Sequence, residues 1–475
     1  MKNFFKFILV CAIILLSASY VFADDWDSFG ETSEEEVQKA VNVNGYAKSD
    51  LRFYPNFTST VKFIPEGKIS LTYDADKADF RFDIKLNENL IKNNPIDIID
   101  DLSVRTYLGN LLLEAGKTRV VWGKTDGFHV VDNFNSDDFS DFIIPDYAER
   151  RISIPMIRAK YSFTDKNDIA LEAVYTPFMA AERYDTDGPF TPADYCELKS
   201  QLALLATGYL GQGTAGLPAT AATYPVVLSQ ANALTNNSSG VLYPNLNRLK
   251  YTQAGTRITG TFRTFDWGLS YYFGHFKTPS VNKSGIKNWA NNYFYGKNTD
   301  SFIDYDKKQT IGLEAATTLW HFNLRAELAY NFTDDMAGTN QAVHNSSFQW
   351  IGGFDIDLPL WNMNLNMMNV GSFISNGDSC NNPLDVDYRE SGSTDNKIVC
   401  VLSSSLLHDK LTPELRAVWA IESRDFVLIP MVGYNVTPAF NVNLSGMWIY
   451  CKNEKTQFKN FDNGNMMRLS GTYTF

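Results

Sequence analysis

The stretch that decides the fold is residues 320–332, WHFNLRAELAYNF, where apolar and polar side chains alternate. One face carries Trp320, Phe322, Leu324, Ala326, Leu328, Tyr330 and Phe332, and the opposite face carries His321, Asn323, Arg325, Glu327 and Asn331. A period of two is typical of a β-strand whose two faces meet different environments. The stretch exceeds the ~5–6 residues of an average globular strand and reaches the ~9–11 residues that cross a bilayer at a tilt.

The same alternation recurs along the chain and ends it at an aromatic residue. In the last segment one face carries Met467, Leu469, Gly471, Tyr473 and Phe475, and the other carries Arg468, Ser470, Thr472 and Thr474. The pattern predicts eighteen strands, near 43–54, 66–74, 79–87, 101–108, 111–121, 155–164, 168–177, 254–264, 266–276, 309–318, 320–332, 346–357, 362–374, 397–406, 412–421, 425–434, 438–450 and 466–475. Sixteen is the alternative count, because the first two strands and the pair around 397–421 alternate least regularly.

The lengths of the connections give an independent indication of the architecture. Every second connection is short, and the remaining ones are usually long, at 88–100, 122–154, 178–253, 277–308, 333–345, 375–396 and 451–465. Short periplasmic turns that alternate with long external loops are typical of outer-membrane barrels. We therefore predict an all-β protein, a transmembrane antiparallel up-and-down β-barrel over residues 42–475.

The first residues predict export. Lys2 and Lys6 precede an apolar run from Phe7 to Leu16, and a signal peptide of residues 1–23 would be cleaved after Ala23. Residues 24–41 are acidic and predict a periplasmic segment or a partial plug of the lumen. We expect the protein in the outer membrane of a diderm bacterium, with outer-membrane lipids and the barrel-insertion machinery as partners.

Composition excludes several classes of function. The chain carries 42 Lys and Arg against 54 Asp and Glu, a net charge of −12 that argues against nucleic-acid binding. Its five histidines lie outside any HExxH pattern, and no Gly-x-Ser-x-Gly or phosphate-binding loop is present, so we expect no enzyme. We expect no metal and no cofactor. Cys196, Cys380, Cys400 and Cys451 form no CxxC pair, and their pairing stays open.

The most specific motif lies within residues 110–165. Gly116-Lys117 is followed by Trp122-Gly123, and then come Asp126, Asp132, Asn135, Asp138, Arg150, Arg151 and Pro155. The spacing lacks the Gly and the closing Glu of an EF-type calcium loop, which favours a structural loop whose carboxylates face Arg150 and Arg151.

This segment resembles a large group of poorly characterised outer-membrane barrel proteins. That group carries a G-K/R…W-G…D…N-x-x-D segment in its first third, usually with Pro where this chain has Ser136. The resemblance implies an outer-membrane barrel, sometimes linked with lipids or hydrophobic compounds. It also implies that Tyr473 and Phe475 form the C-terminal assembly signal read by the insertion machinery. Segment 24–41 gives a weaker resemblance to fatty-acid-type outer-membrane transporters, which use an N-terminal hatch.

If the apolar faces meet lipid, the polar faces meet the lumen, because Arg or Lys facing lipid at mid-membrane costs ~2–4 kcal/mol. The candidate lumen and constriction residues are Arg81, Asp83, Arg105, Arg158, Lys160, Glu172, Arg257, Arg263, Glu314, Arg325, Glu327 and Arg416. Charges of both signs predict a porin-like channel for passive diffusion of small polar solutes, narrowed by loops 122–154 and 178–253. The alternatives are a transporter of lipids, fatty acids or other hydrophobic compounds with a plugged lumen, and a surface adhesin or antigen on a barrel scaffold. Monomer and trimer both stay open.

Overall fold

The computed structural model describes residues 41–57, 61–75, 77–163, 168–192, 196–198, 200–201, 203–204, 243–294, 297, 301–452 and 456–475. The predicted signal peptide and nearly all of the acidic segment 24–41 lie outside the described residues. So does most of residues 193–242, the central part of the predicted loop 178–253.

Eighteen strands form the wall. They are β1 Val41–Phe53, β2 Val61–Asp74, β3 Ala78–Asn87, β4 Ile99–Leu108, β5 Leu111–Thr118, β6 Ile154–Ser162, β7 Ala170–Thr176, β8 Gln253–Phe262, β9 Phe265–His275, β10 Lys307–Leu319, β11 Phe322–Thr333, β12 Ser347–Leu358, β13 Met363–Ile374, β14 Thr394–Ser404, β15 Leu411–Ala420, β16 Phe426–Asn435, β17 Phe440–Tyr450 and β18 Met466–Thr474. Each strand pairs antiparallel with its neighbours in chain order, and β18 pairs with β1. The sheet is therefore a closed barrel, and the predicted count of eighteen is confirmed.

Helices and short strands occupy the connections. Outside residues 193–242, the described α-helices are α1 Glu88–Asn93, α2 Tyr147–Arg150 and α3 Ile286–Phe294, and the described 3₁₀ helices are Pro95–Ile98, Leu249–Tyr251, Lys283–Gly285, Gly377–Ser379 and Gln457–Gly464. Asp138–Phe139 pairs in parallel with Arg183–Tyr184, and Ser280–Val281 pairs antiparallel with Ile303–Asp304. No helix in the described part of the chain is long and apolar enough to span a membrane.

The seam between β1 and β18 closes through the C-terminal residue. Asp50 lies opposite Ser470 in the register. The backbone N–H of Phe475 donates to the Gly45 oxygen at 3.0 Å, and the N–H of Gly45 donates back to the Phe475 oxygen at 2.9 Å. The last strand thus pairs with the first, as a closed barrel requires.

The outer face of the wall is apolar. Leu102, Ile157, Leu313, Leu444 and Leu469 are among the large hydrophobic side chains that point outward and stay exposed. Buried polar residues such as Glu114 and Glu327 occupy the inward positions of the same wall. A continuous apolar exterior is not stable in water, whereas it matches the outward band of a barrel in lipid.

Strand ends differ from the predicted ones where turns are tight. Trp320 and His321 form the turn between β10 and β11 rather than the start of a strand, and Trp320 has a φ of +55°. Arg263 lies in the corresponding turn between β8 and β9, with a φ of +57° and its guanidinium 5.5 Å from the Phe262 ring. The prediction that Arg263 lines the lumen is wrong, because the turn removes it from the inward face of the strand.

The connections on the opposite end carry most of the non-barrel structure. β5 ends at Thr118, three residues earlier than predicted, so the first long connection is 119–153 rather than 122–154. The other two long connections are 177–252 and 276–306. Residues 119–153 are called the inner loop below, because their side chains pack against inward-facing residues of the wall.

Candidate functional site

An apolar anchor fixes the inner loop inside the barrel. Trp122 and Phe134 are fully buried and pack with the inward-facing Val174 of β7, Tyr272 of β9 and Ala329 of β11. The Phe134 ring meets the rings of Trp122 and Tyr272 edge-on, with centroids 5.0 and 5.2 Å away. Burying a large aromatic side chain stabilises such a cluster by a few kcal/mol, so the loop is a packed part of the structure.

The carboxylate of Glu327 holds the tip of the inner loop. Its Oε1 accepts hydrogen bonds from the N–H groups of Lys124 and Thr125 at 2.8 and 3.0 Å, and from the Thr125 hydroxyl at 2.6 Å. His129 Nδ1 lies 2.8 Å from the same oxygen, and Val130 N–H donates to Oε2 at 3.0 Å. Glu327 is fully buried in the middle of β11, so these contacts attach the loop to the wall far from β5.

Gly123 is required by this close approach. Its φ is +121°, and a Cβ there would lie 2.3 Å from both Glu327 Oε1 and His129 Nδ1. The neighbouring Trp122 donates from Nε1 to Glu172 Oε1 at 3.0 Å. The indole of Trp122 therefore joins the inner loop to β7, and the missing side chain of Gly123 lets the loop approach Glu327 of β11.

The carboxylate of Asp126 contacts the wall of the barrel at β11 and β13. It forms an ion pair with Arg325 of β11 and accepts a hydrogen bond from Asn366 of β13 at 3.2 Å. Arg325 Nη1 also lies 3.1 Å from Asp355 Oδ1 of β12. Asp126, Asn323, Arg325, Gly353, Phe354, Asn366 and Met368 line a small recess there. The loop tip thus narrows the lumen in front of β11–β13.

Asn135 ties the two ends of the inner loop together. Its Oδ1 accepts the Val120 N–H at 3.0 Å, while its Nδ2 donates to the Ile152 oxygen at 2.8 Å and the Thr118 oxygen at 3.3 Å. A side-chain amide supplies both a donor and an acceptor, which explains Asn at this buried position. Asp138, three residues on, accepts from Arg183 Nη1 at 3.1 Å and fixes the loop to connection 177–252.

The inner loop also contains a buried cluster of charged side chains. Asp132 accepts from the Tyr147 hydroxyl at 2.7 Å and pairs with Arg151 at 3.0 Å, and Arg151 also donates to Asp137 at 3.2 Å. Burial raises the pKa of the Asp132 carboxyl, and the Arg151 charge opposes that rise. Burial lowers the pKa of the neighbouring Arg150, whose guanidinium donates to the Pro145 oxygen. Arg151 thus connects Asp132 and Asp137 within the inner loop.

Charged residues of both signs form a chain along the wall from β4 to β7. Arg105 Nε donates to Glu114 Oε1 at 2.7 Å, and Arg158 Nη1 donates to Glu114 Oε2 at 3.1 Å. Arg158 Nε also donates to Glu172 at 2.9 Å, and Lys160 lies opposite Glu172 in the register of β6 and β7. Glu114 was missed by the sequence analysis, although it occupies an inward position in the alternation of β5.

The remaining lumen candidates form separate pairs. Arg81 Nη2 lies 2.8 Å from Asp83 Oδ2 on β3. Arg257 of β8 pairs with Glu314 of β10. Arg416 pairs with Glu414 and reaches Asp146 of the inner loop at 3.3 Å. Asp141 of the inner loop accepts from Arg52 of β1 at 2.8 Å.

Two of these contacts show how far the inner loop extends around the lumen. The Arg416–Asp146 pair attaches it to β15, and the Arg52–Asp141 pair attaches it to β1. Together with Glu327 on β11, these attachments are distributed around the barrel. The loop therefore crosses the bore instead of lying along a single strand.

A closed barrel with an apolar exterior, a charged interior and a loop held in its bore is a membrane-spanning β-barrel of the kind that bacterial outer membranes contain. Within that class, the chain belongs to the family described as "Protein of unknown function (DUF1302)", whose model matches residues 54–403. No curated protein matches the sequence.

Several solved structures of outer-membrane proteins are similar over most of the chain. The outer membrane protein opdK from Pseudomonas aeruginosa has 10% identity and a TM-score of 0.45, covering 92% of this chain and 99% of its own. OccAB3 from Acinetobacter baumannii has 8% identity and a TM-score of 0.44, covering 91% and 98%. A BenF-like porin from Pseudomonas fluorescens Pf-5 has 10% identity and a TM-score of 0.45, covering 92% and 97%.

Proposed function

We propose that this protein is a passive channel of the outer membrane for small polar solutes, with a bore set by the inner loop. The observation that carries the proposal is the exposure of two inward-facing arginines. The side chains of Arg81 and Arg105 are 45% and 40% exposed, although both point into the interior of a closed barrel. Solvent-accessible space therefore reaches the inner face of the wall near the short turns that precede β3 and follow β4.

The attachments of the inner loop support a constriction rather than a mobile lid. The loop is held by the buried carboxylate of Glu327, by the ion pair of Asp126 with Arg325, and by the apolar contacts of Trp122. Charged groups of both signs at a narrow point favour small polar solutes and oppose apolar ones, because apolar solutes gain nothing from an ordered polar lining.

A direct test measures current through the purified full-length protein in planar bilayers. We expect stepwise, ohmic conductance. Protein that is folded, as judged by its heat-modifiable mobility in SDS gels, but gives no current would overturn the proposal. Acyl chains co-purifying with such non-conducting protein would instead support the transporter for hydrophobic compounds with a plugged lumen.

A matched pair of cysteine variants locates the path of the current. In a Cys196→Ser background, Arg105→Cys places a thiol in the lumen, whereas Leu102→Cys places one on the exposed outer face of the same strand. A charged, membrane-impermeant methanethiosulfonate reagent is expected to reduce the conductance of the Arg105→Cys channel and to leave the Leu102→Cys channel unchanged. Equal responses of the two variants would contradict a path along β4.

A further inference from the structure

The pairing of β16 with β17 is interrupted in the middle of both strands. Its register runs from Phe426 to Leu428, which lies opposite Trp448, and resumes at Met431, which lies opposite Ser445. Among the wall ladders of the described residues, this is the one that skips two consecutive positions on both strands. The interruption is therefore a local property of the β16–β17 junction.

Pro430 explains the interruption. Extending the register from either side places Pro430 opposite Gly446, and proline has no N–H to donate to the Gly446 oxygen. Proline within sheets is largely confined to edge strands and bulges, whereas Pro430 lies in the middle of β16 with a paired strand on each side. Because the hydrocarbon core holds no water to replace the lost donor, the junction is weakest at the depth of Pro430.

A single side chain covers the interruption on the lipid side. Gly446 has no side chain of its own, and the ring of Trp448 lies over it, so that a Cβ at Gly446 would be 2.5 Å from the nearest ring atom. Trp448 is 49% exposed on the outer face. A change of rotamer moves such a ring without breaking a backbone hydrogen bond, so this outer cover can be displaced.

The inner face beside the junction is apolar. Ile429 and Met431 of β16 lie opposite Arg416 and Glu414 in the register and share their inward face. Val401 of β14 lies opposite Arg416 from the other side. The side chains of Ile429, Met431 and Val401 are all partly exposed. Contiguous exposed apolar side chains mark a surface that binds apolar groups, and here they interrupt an otherwise polar lining.

Packing of the inner loop accounts for only part of this apolar surface. Val427, Met447 and Ile449 are buried in the cluster that also receives residues of the inner loop. Met431 and Val401 lie outside the apolar clusters of the described wall, and both retain exposure to the lumen. The part of the surface nearest Pro430 is therefore available to a solute.

The inner loop crosses the bore at the same depth. Its Ile143 and Ile144 pack against the apolar cluster that Ile429 also contacts. Two residues further on, Asp146 lies 3.3 Å from Arg416, the residue opposite Ile429 in the register. An apolar solute that the charged constriction stops thus meets an apolar wall directly beside it.

We propose that the β16–β17 junction is a lateral exit through which small apolar solutes pass from the lumen into the membrane. The inference goes beyond the proposed channel function, because polar solutes follow the bore and apolar solutes leave it at Pro430. Transfer of an apolar solute into lipid is favourable, and at Pro430 the least backbone pairing has to be disrupted. Apolar surface continues from Ile429 and Met431 on the inner face to Trp448 on the outer face.

The first test follows the entry of Nile red, an uncharged apolar dye that fluoresces in lipid, into cells of a diderm host without active efflux. We expect faster entry into cells that carry the full-length protein than into cells without it. Pro430→Val restores an N–H opposite Gly446 and should lose this acceleration. Pro413→Val is the matched control, because Pro413 lies near the short-turn end of β15 and its pairing with Val432 is uninterrupted. This variant should keep the fast entry.

The second test closes the junction covalently. Met431 and Ser445 are the first paired residues beyond the interruption, so a disulfide in the Met431→Cys/Ser445→Cys variant would hold the two strands together. Oxidation should abolish the accelerated entry of Nile red, and reduction should restore it. The original protein under the same oxidant and reductant is the control and should show no change.

The outcomes separate the lateral exit from the channel. Ohmic current from folded protein without accelerated dye entry would overturn the exit and leave the channel intact. Accelerated entry that neither Pro430→Val nor the disulfide reduces would also overturn the exit. Accelerated entry that both changes abolish, in a folded protein that gives no current, would support the exit and overturn the channel for polar solutes.

Discussion

The hydroxyl of Thr125 donates a 2.6 Å hydrogen bond to the carboxylate of Glu327, a residue 202 positions further along the chain. Thr125 lies at the tip of the inner loop, and Glu327 lies in the middle of β11. Three backbone N–H groups, at Lys124, Thr125 and Val130, bind the same carboxylate. Glu327 therefore fixes the tip of the inner loop, residues 124–130, against β11.

Glu327→Gln is expected to loosen the inner loop and to increase conductance and current noise. The amide of Gln keeps one acceptor oxygen, but its NH₂ group would face the N–H of either Lys124 or Val130 without an acceptor. Leaving buried donors unsatisfied costs about 1–3 kcal/mol each. Single-channel recording measures the change.

Glu314→Gln is the control for this prediction, because Glu314 lies directly opposite Glu327 in the register but binds Arg257 of the wall instead of the loop. Its conductance should stay close to that of the original channel. If Glu327→Gln also left the conductance unchanged, the hydrogen bonds of Glu327 to the inner loop would not determine the width of the bore.

Trp122→Ala is expected to release the inner loop from its apolar anchor. Removing a fully buried aromatic ring costs about 3–5 kcal/mol, and here it also deletes the hydrogen bond to Glu172. Limited proteolysis of the folded barrel should cut within 119–153 in this variant and not in the original protein. Trp320→Ala is the matched control, because that ring is 82% exposed in a turn. Equal protease resistance of both variants would contradict the anchoring role of Trp122.

The alternation of the sequence predicted all eighteen wall strands, because each strand separates an apolar exterior from a polar interior along its whole length. The predicted strand ends are wrong where the contrast between the apolar and the polar face of a strand ends. Around Trp320 the polar and apolar residues continue to alternate through a two-residue turn, so the sequence shows no break although the backbone reverses. Arg263 was assigned to the lumen for the same reason.

The site could be predicted only in part. Inward positions follow from the two-residue period, which is why Arg105, Arg158 and Glu172 were found together on neighbouring strands. The path of the inner loop is different, since the partner of Thr125 is a wall residue distant in sequence and no local pattern specifies it. The same holds for Asp141, whose partner Arg52 lies on the first strand.

Thiol reactivity should distinguish the cysteines of the described residues, Cys196, Cys380, Cys400 and Cys451, which are all free. Burial, together with the nearby Asp385, raises the pKa of the Cys380 thiol to about 11, and burial together with Asp425 raises the pKa of the Cys451 thiol to about 11. Because the thiolate is the reactive form, only about one of these thiols in a thousand is reactive at pH 8. A raised pKa keeps the thiol protonated, so labelling of both should rise as the pH approaches 11.

Cys196 is exposed and should react with a maleimide first. Mass spectrometry of peptides after timed labelling at pH 8 measures the labelling rates of Cys196, Cys380 and Cys451. The Cys196→Ser variant should lack the fast phase of labelling. Labelling of Cys380 at the rate of Cys196 in folded protein would contradict its burial.

Gly45→Ala is expected to weaken the closure of the barrel. A Cβ at Gly45 would lie 2.4 Å from the Lys68 backbone oxygen and 2.6 Å from the Phe475 ring, so both the β1–β2 ladder and the seam with β18 would have to shift. Overpacking of this kind costs about 1–3 kcal/mol, and it acts on the pairing that completes the sheet. Gly352→Ala adds the same methyl group to β12, where a Cβ has nothing within 4 Å, and should assemble normally. The fraction of protein that migrates as the compact, unheated form in SDS gels measures closure, and an equal fraction for both variants would show that the seam tolerates a side chain at this position.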